Sequence, residues 1–501
     1  MINDKQLAYL LRNGDKLRAE LNLMDFIRQA WSQIEPGVTF VDGWAVQAVA
    51  EHLQAVTEGQ IKKLLINIPP GCSKSMFTCV MWPAWEWGPR GLSHHRFISG
   101  SYDQGLATRD LLRCRDLIQS EWYQARWPLQ LKADQNEKTY YENTMTGWRK
   151  SVGVRGALTG YRGDRVVIDD PHDVKGAESE ATRNEGCRWF FETVPTRFNN
   201  QDTFAMVIIM QRLHEQDISG RILDDEELAS EWTQLILPMR HEVERHCSTS
   251  VVLSTTGETF KDPRTEEGEL LWTDRFSEET VSTMEKTFRA ESGDYAVAGQ
   301  LQQRPVPRGG GEFKRADFIV ITTPPTEPGI IVRAWDLAGS KEKRSAYTAG
   351  VKLHIGTKSR RLTILDMVRF KGTSSEVDIE MLRVARLDGK SITIDIPQDP
   401  GSAGKTAVSH ITANLEGFTV RSSPESGDKE FRAGPFASQV QAGNVFVLNR
   451  PWTEPLLREA EMFPGKFKDQ IDALSRAYAA LLRARKSDLP IIPPTLSVKK
   501  G

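Results

Sequence analysis

Short apolar runs recur along the first half of the chain, each closed by turn-forming or charged residues. Leu64-Leu65-Ile66-Asn67-Ile68 ends at Pro69-Pro70, which reads as a buried strand entering a loop. Met76 to Trp87 follows, apolar and proline-poor at first, and predicts a helix. Further buried strands are predicted at Arg96 to Ser99, Arg165 to Ile168 and Phe204 to Met210. Strands alternating with helices predict an α/β fold with a parallel sheet covered on both faces. Upstream, Ala48 to Val56 mixes apolar and polar positions at helical spacing, so residues 1–60 read as a helical region.

Periodicity weakens over 241–311, a subdomain and linker that ends in Pro305-Val306-Pro307-Arg308-Gly309-Gly310-Gly311, a flexible joint. Alternation then resumes, with strands predicted at Ile330 to Trp335, in the first strand of a new sheet, and at Ala349 to Leu353, Arg361 to Asp366 and Ser391 to Ile396. A helix over Asp469 to Leu482 closes this part, and Pro490 to Gly501 reads as a mobile tail. The predicted division is 1–60 helical, 61–240 first α/β domain, 241–311 linker region, 312–485 second α/β domain and 486–501 tail. With 501 residues the chain is too long for one core.

Composition narrows the class. The chain is 39% hydrophobic and 26% charged, with 65 basic against 67 acidic residues and a formal charge of −2. That balance carries no global footprint of nucleic-acid binding, so such a partner needs a local basic surface, with Arg308, Lys314 and Arg315 as candidates, or bridging metal ions. Cys72, Cys79, Cys114, Cys187 and Cys247 form no C-x-x-C pair, which disfavours zinc and disulfide frameworks. No apolar run reaches the ~18 residues of a membrane span, and no apolar leader opens the chain, so a cytoplasmic protein without a membrane partner is expected.

Two constellations carry chemistry. The first is Pro69-Pro70-Gly71-Cys72-Ser73-Lys74-Ser75 between strand and helix, with Asp169-Asp170 ending a second strand. Lys74 and Ser75 match the end of a phosphate-binding loop, although Ile68 and Ser73 replace both template glycines. Lys74 can neutralise β- and γ-phosphates, Ser75 and Asp169 can hold Mg²⁺, and Asp170 can polarise the attacking water. Arg155 and Arg162, in a glycine-rich stretch, are candidates for stabilising γ-phosphate charge in the same or a neighbouring subunit. Gln47 and Trp44 are candidates for adenine contact, and Gln211 ends a further strand where a polar group can sense the γ-phosphate. The plain alternatives are a strand-to-helix turn capped by serine, an Asx-Pro corner at Asp170-Pro171, solvated arginines and a core tryptophan.

The second constellation is carboxylates alone. Asp336 follows an apolar strand, Asp399 opens a glycine-containing turn, and Asp469 and Asp472 share one face at a helix start. Such acids, once converged, repel unless cations neutralise them, which points to Mg²⁺ or Mn²⁺. Two such ions ~4 Å apart suit hydrolysis of a phosphodiester. Asp395 competes with Asp399 for the middle place; Asp399 is preferred because Asp395 lies inside the strand alternation.

With these motifs the chain resembles the large terminase subunit of tailed bacteriophages. The resemblance runs through residues 40–485. It is carried further by Trp82-Pro83-Ala84-Trp85-Glu86-Trp87, Leu158-Thr159-Gly160-Tyr161-Arg162-Gly163-Asp164, Val167-Ile168-Asp169-Asp170-Pro171, Gln211 to Asp217 and Ser219-Gly220-Arg221. It implies an N-terminal P-loop ATPase domain of the ASCE type and a C-terminal RNase H-like nuclease domain. It implies ATP-driven movement of double-stranded DNA into a procapsid, and endonuclease cutting of concatemers. Lys74 and Ser75 then fall at the Walker A pair, Asp169 and Asp170 at the Walker B acids, and Gln211 in the coupling motif. Asp336, Asp399 and Asp469 fall at the nuclease acids with Asp472 beside them. Asp170 departs from the usual glutamate. The implied partners are a portal protein, a small terminase subunit and further copies in a ring of five, often monomeric when isolated, in the host cell cytoplasm. The readings set against this one are an RNase H-like recombinase or transposase with a degenerate ATPase half, and an inert prophage remnant that binds a portal.

Overall fold

The computed structural model describes residues 4–158, 160–306, 312–338, 346–398, 402–424, 429–463 and 468–484. The chain forms two compact units, 1–305 and 306–501. The fold is mixed α/β, with parallel pairing in the main sheet of each unit.

The first unit is built on eight strands: β1 (Lys63–Asn67), β2 (Phe97–Ser101), β3 (Leu131–Asn136), β4 (Tyr140–Asn143), β5 (Trp148–Gly153), β6 (Arg165–Asp169), β7 (Ala205–Met210) and β8 (Thr233–Ile236). Their spatial order is β3-β4-β5-β2-β6-β7-β1-β8. Every pairing from β5 to β8 is parallel, whereas β3 and β4 extend the sheet antiparallel. Alternate side chains of the central strands enter two different cores. Leu64, Ile66, Val167, Val207 and Ile209 pack on one face, and Leu65, Val166, Ile168, Met206 and Ile208 on the other. Burial on both faces is why these strands read as unbroken apolar runs. The β3–β4 extension was not predicted: β3 is mostly exposed and presents no apolar run.

Three helices precede the sheet, Asp4–Leu21, Leu23–Ile34 and Trp44–Thr57. The segment after the first loop is less regular than its sequence predicts. Met76–Met81 forms wide π-type turns and Trp82–Trp87 continues as an α-helix. Proline is the reason. Pro83 has no N–H to return to the carbonyl four residues back, that of Cys79. The buried Arg149 donates to the Cys79 carbonyl instead, at 2.8 Å. Over 241–305, where periodicity is weak, the chain makes a two-stranded ribbon, β9 (Ser248–Val252) with β10 (Thr259–Lys261), and a helix, Glu278–Ser292.

The second unit holds β11 (Ile319–Ile321), β12 (Gly329–Asp336), β13 (Thr348–Gly356), β14 (Leu362–Phe370), β15 (Thr393–Gln398), β16 (Val420–Pro424) and β17 (Val445–Leu448). Their order is β11-β17-β14-β13-β12-β15-β16. β12 to β14 are an antiparallel meander, and β15 runs parallel to β12. The strand carrying Asp336 is therefore central, and the short β11 precedes it in the chain. Val332 and Ala334 of β12 point into the core shared with Ile471, Leu474 and Ala477 of the closing helix, Asp469–Ala484. By the period of two, Asp336 lies on that same face. Of the joint, residues 307–311 fall outside the described residues, as does the tail from 485.

Candidate active sites

The parallel register brings the C-terminal ends of β1, β7 and β6 side by side: Asn67 pairs with Met210, and Asp169 with Ile209. The loop from Ile68 to Ser73 opens over this edge. Gly71 has φ +83° and Ser73 φ +55°, both left-handed. Ser73 stands where the template has glycine, and its backbone adopts the glycine conformation at a cost of about 1–2 kcal/mol. Lys74 reaches across and ion-pairs with Asp170 at 2.7 Å. The amide of Gln211, just past β7, donates to the same carboxylate at 3.2 Å. The loop after β7 is locked by the buried Arg212–Asp217 pair at 3.0 Å, with Asp217 also accepting from the amide of Gly220 at 2.7 Å.

Asp169 is buried and its Oδ1 has no hydrogen-bond partner among the described residues. Burial first, then the charge of Asp170, push its pKa up to about 7, against the pull of Lys74 and the Ser75 hydroxyl. A buried carboxylate with an orphaned oxygen beside a lysine–aspartate pair is poorly satisfied, and an added cation would correct that. Cys72 is buried, and burial raises its thiol to about 12 despite the nearby charges of Lys74 and Arg275.

The remaining candidates lie as follows. The side-chain oxygen of Gln211 is buried and unpartnered among the described residues. Gln47 accepts from Arg28 at 3.1 Å and donates to Glu51 at 3.0 Å. Trp44 packs partly buried on the core beneath Arg264. Arg155 has φ +75° and pairs with the exposed Glu185 at 3.0 Å. Arg162 is exposed, with no ion pair among the described residues. Neither arginine joins the Lys74–Asp170 pair. Arg275, which the sequence did not single out, donates Nε to the Gly71 carbonyl at 2.8 Å.

In the second unit, three predicted acids come together around one ammonium group. Lys429 Nζ lies 2.9 Å from Asp336, 3.2 Å from Asp472 and 3.5 Å from Asp469. Arg432 grips Asp472 at 2.7 Å, and the amide of Tyr347 donates to Asp469 at 2.9 Å. The start of the closing helix is itself held. Glu459 accepts from the amides of Gln470 at 2.6 Å and Ile471 at 3.2 Å. Burial is the largest influence on Asp336 and raises it to about 7; Asp472 and Asp469 push the same way, Lys429 the other. Lys429 is raised: burial alone would lower it, but the three carboxylates outweigh that.

Lys429 and Arg432 were missed because a basic residue among polar neighbours carries no sequence signal until the fold places it against acids, and Tyr347 because it acts through its backbone amide. Asp395 is buried on β15, with its oxygens on Arg476 and Arg483, each at 3.0 Å. It is thus already neutralised by two arginines. Asp399 falls outside the described residues. No group of three Asp, Glu, His or Cys side chains among the described residues is arranged as a ready metal cage. The acids nonetheless surround a single cation position, and an all-oxygen donor set of this kind would suit a hard divalent ion in place of the ammonium. Lys314 is exposed, Arg315 pairs with Glu454 at 2.7 Å, and Arg308 lies outside the described residues. Among the described residues no helix is long and apolar enough to cross a membrane.

Comparison with known proteins bears on the second unit directly. Residues 333–481 match the model of the terminase RNaseH-like domain. No curated protein matches the chain. Among solved structures, the chain is similar to the HK97 bacteriophage large terminase, at 12% identity over 92% of this chain and 99% of that one, with a TM-score of 0.39. It is similar to the large terminase nuclease of thermophilic phage G20c with bound magnesium, at 16% identity over 34% and 98%, TM-score 0.27. The P22 large terminase nuclease domain aligns at 14% identity over 35% and 93%, TM-score 0.28. The second unit therefore carries a terminase RNaseH-like domain, in keeping with the resemblance to terminase large subunits that the sequence motifs raise.

Proposed function

We propose that the chain is the motor and nuclease of a viral DNA-packaging machine, with ATP hydrolysis in the first unit and DNA cleavage in the second. The observation that carries this is the pairing of two lysine-neutralised acid sites in one chain, the second inside a terminase RNaseH-like domain. In the first unit, incoming β- and γ-phosphates compete with Asp170 for the Lys74 ammonium. Release from Lys74 would free Asp170 to orient and deprotonate water, while Ser75 and Asp169 would share Mg²⁺. Gln211 touches Asp170 through its backbone, so the strand end of β7 is the natural route from phosphate state to DNA movement.

In the second unit, Asp336, Asp469 and Asp472, with Asp399 as the further acid, would hold Mg²⁺ or Mn²⁺, which supplies charge neutralisation and an activated water for phosphodiester hydrolysis. Arg432 and Glu459 fix the helix that presents Asp469 and Asp472, and Lys429 leaves the acids to face the phosphate backbone of double-stranded DNA. Portal protein, a small subunit and a ring of five copies are the partners this reading requires, in the cytoplasm of the infected cell. Arg155 or Arg162, neither of which joins the Lys74–Asp170 pair, suits a neighbouring subunit's site in such a ring.

Two substitutions test the division. Lys74→Ala should abolish DNA-stimulated ATP hydrolysis and spare metal-dependent plasmid cutting; Asp336→Ala should do the reverse. Loss of both activities in either folded variant would overturn the two-site assignment.

A further inference from the structure

The stretch Trp272 to Ser277 reaches back over the Lys74 loop. Trp272 is buried, and its indole donates to the Asp42 carbonyl at 2.8 Å. Phe276 is buried against the loop so closely that a Cβ on Gly71 would stand 3.2 Å from its ring edge. Between them, Arg275 is exposed yet held. Its Nε donates to the Gly71 carbonyl at 2.8 Å, and its guanidinium carbon lies 5.4 Å and 5.7 Å from the ring centroids of Trp272 and Phe276. Its two terminal nitrogens have no partner among the described residues, and no carboxylate ion-pairs with it. This sets it apart from Arg28, Arg155 and Arg240, each of which pairs with Asp or Glu.

An ordinary surface arginine swings in solvent or finds an acid. Here the side chain is ordered by a carbonyl and an aromatic platform, and the four N–H donors of the fork are left to solvent beside a loop shaped for phosphate. A planar guanidinium in that state is prearranged for two-pronged contact with a phosphate group. We propose that Arg275 contacts the phosphates of the nucleotide at the Lys74 site, so that the region after β8 supplies one wall of that site. This rests on reading the loop as a nucleotide site, and makes Arg275 a nucleotide-contacting residue from the same chain.

The test is calorimetric binding of ATP and ADP to the full chain with Mg²⁺, for wild type, Lys74→Ala, Arg275→Ala and Arg275→Gln, with melting curves as a folding control. Both Arg275 variants should weaken nucleotide binding roughly 10- to 100-fold, the worth of a charge-assisted phosphate contact. Glutamine keeps a donor for the Gly71 carbonyl and removes the charge. If Arg275→Gln binds like wild type while Arg275→Ala does not, the residue only braces the loop and the contact is wrong. If Lys74→Ala abolishes binding and both Arg275 variants match wild type, the nucleotide site stands and the Arg275 proposal falls. If wild type itself binds no nucleotide, the reading of the loop and the proposal fall together.

Discussion

Replacing Lys429 with methionine keeps the stem and deletes the charge that three carboxylates share. At 3.2 Å and an effective dielectric of about 20, each ammonium–carboxylate attraction is worth about 5 kcal/mol gross. The Lys429 side chain is 33% exposed, so solvent screening and the desolvation already incurred take back most of it. A net loss of about 2 kcal/mol is the working figure. In a unit of roughly 200 residues that is a fall in Tm of about 4–8 °C. Calorimetry of the full chain at pH 8 in chelator should show the transition containing the second unit shifted down by that amount. Mn²⁺ should then reverse it. A cation entering wild type must displace the ammonium, whereas in Lys429→Met it meets open acids. Since 1.4 kcal/mol is tenfold in affinity, the variant should bind Mn²⁺ about 30-fold more tightly, read by titration calorimetry rather than by cutting. At pH 6 the chelator difference should shrink, because Asp336, raised to about 7, is then largely protonated. Equal melting in chelator together with equal Mn²⁺ affinity would refute the shared-cation geometry.

Asp169→Asn should stabilise the nucleotide-free first unit at pH 8. The folded pKa is raised from 3.8 to about 7, so wild type loses stability as pH climbs through that window and the asparagine variant does not. The gain, up to a few kcal/mol, should vanish near pH 4; a variant less stable than wild type at pH 8 would contradict the burial argument. Ser73→Gly should leave nucleotide binding intact and change stability by no more than about 1 kcal/mol, because relief of the left-handed strain is offset by the greater freedom of glycine in the unfolded chain. A large destabilisation on chemical denaturation would show that the Ser73 side chain has a role the backbone does not reveal. Gly71→Ala should lower both stability and ATP affinity, since φ +83° and the Phe276 contact at 3.2 Å each resist a methyl group; unchanged ATP binding would detach this loop from the site.

The core strands were legible for two reasons: β1, β6 and β7 are buried on both faces and read as apolar runs, whereas β12 and β13 show through alternation, interrupted by Arg333, Lys352 and His354. β3 and β16 were not, since exposed edge strands impose no such pattern. The apolar run Val445-Phe446-Val447-Leu448 does carry the signal for β17. Site acids at strand ends were legible for a related reason: a charged residue closing an apolar run is conspicuous. The cations that answer them were not. Lys429 and Arg432 arrive from a helix nearly a hundred residues away in sequence from Asp336, and Arg275 from a stretch without periodicity.

The two sites solve one electrostatic problem in the same way. In each unit the end of a buried strand places an acid where burial raises its pKa to about 7, Asp169 in one and Asp336 in the other. In each, a lysine from an element outside the strand ion-pairs within the resulting cluster of acids, at 2.7 Å to Asp170 and 2.9 Å to Asp336. An ammonium is a serviceable counter-ion but a displaceable one: it is flexible, singly charged and strongly hydrated once released. A phosphate can draw Lys74 away, and a divalent cation can outcompete Lys429, because each offers more charge than the partner it replaces. Rigid arginine forks hold acids outside the two clusters, and one within: Arg432 keeps its grip on Asp472 while Lys429 is shared. Asp395 with Arg476, Asp217 with Arg212 and Asp388 with Arg333 are all tied this way. The lysine at each cluster is thus the counter-ion open to exchange, and that is an argument for where substrates and ions would enter.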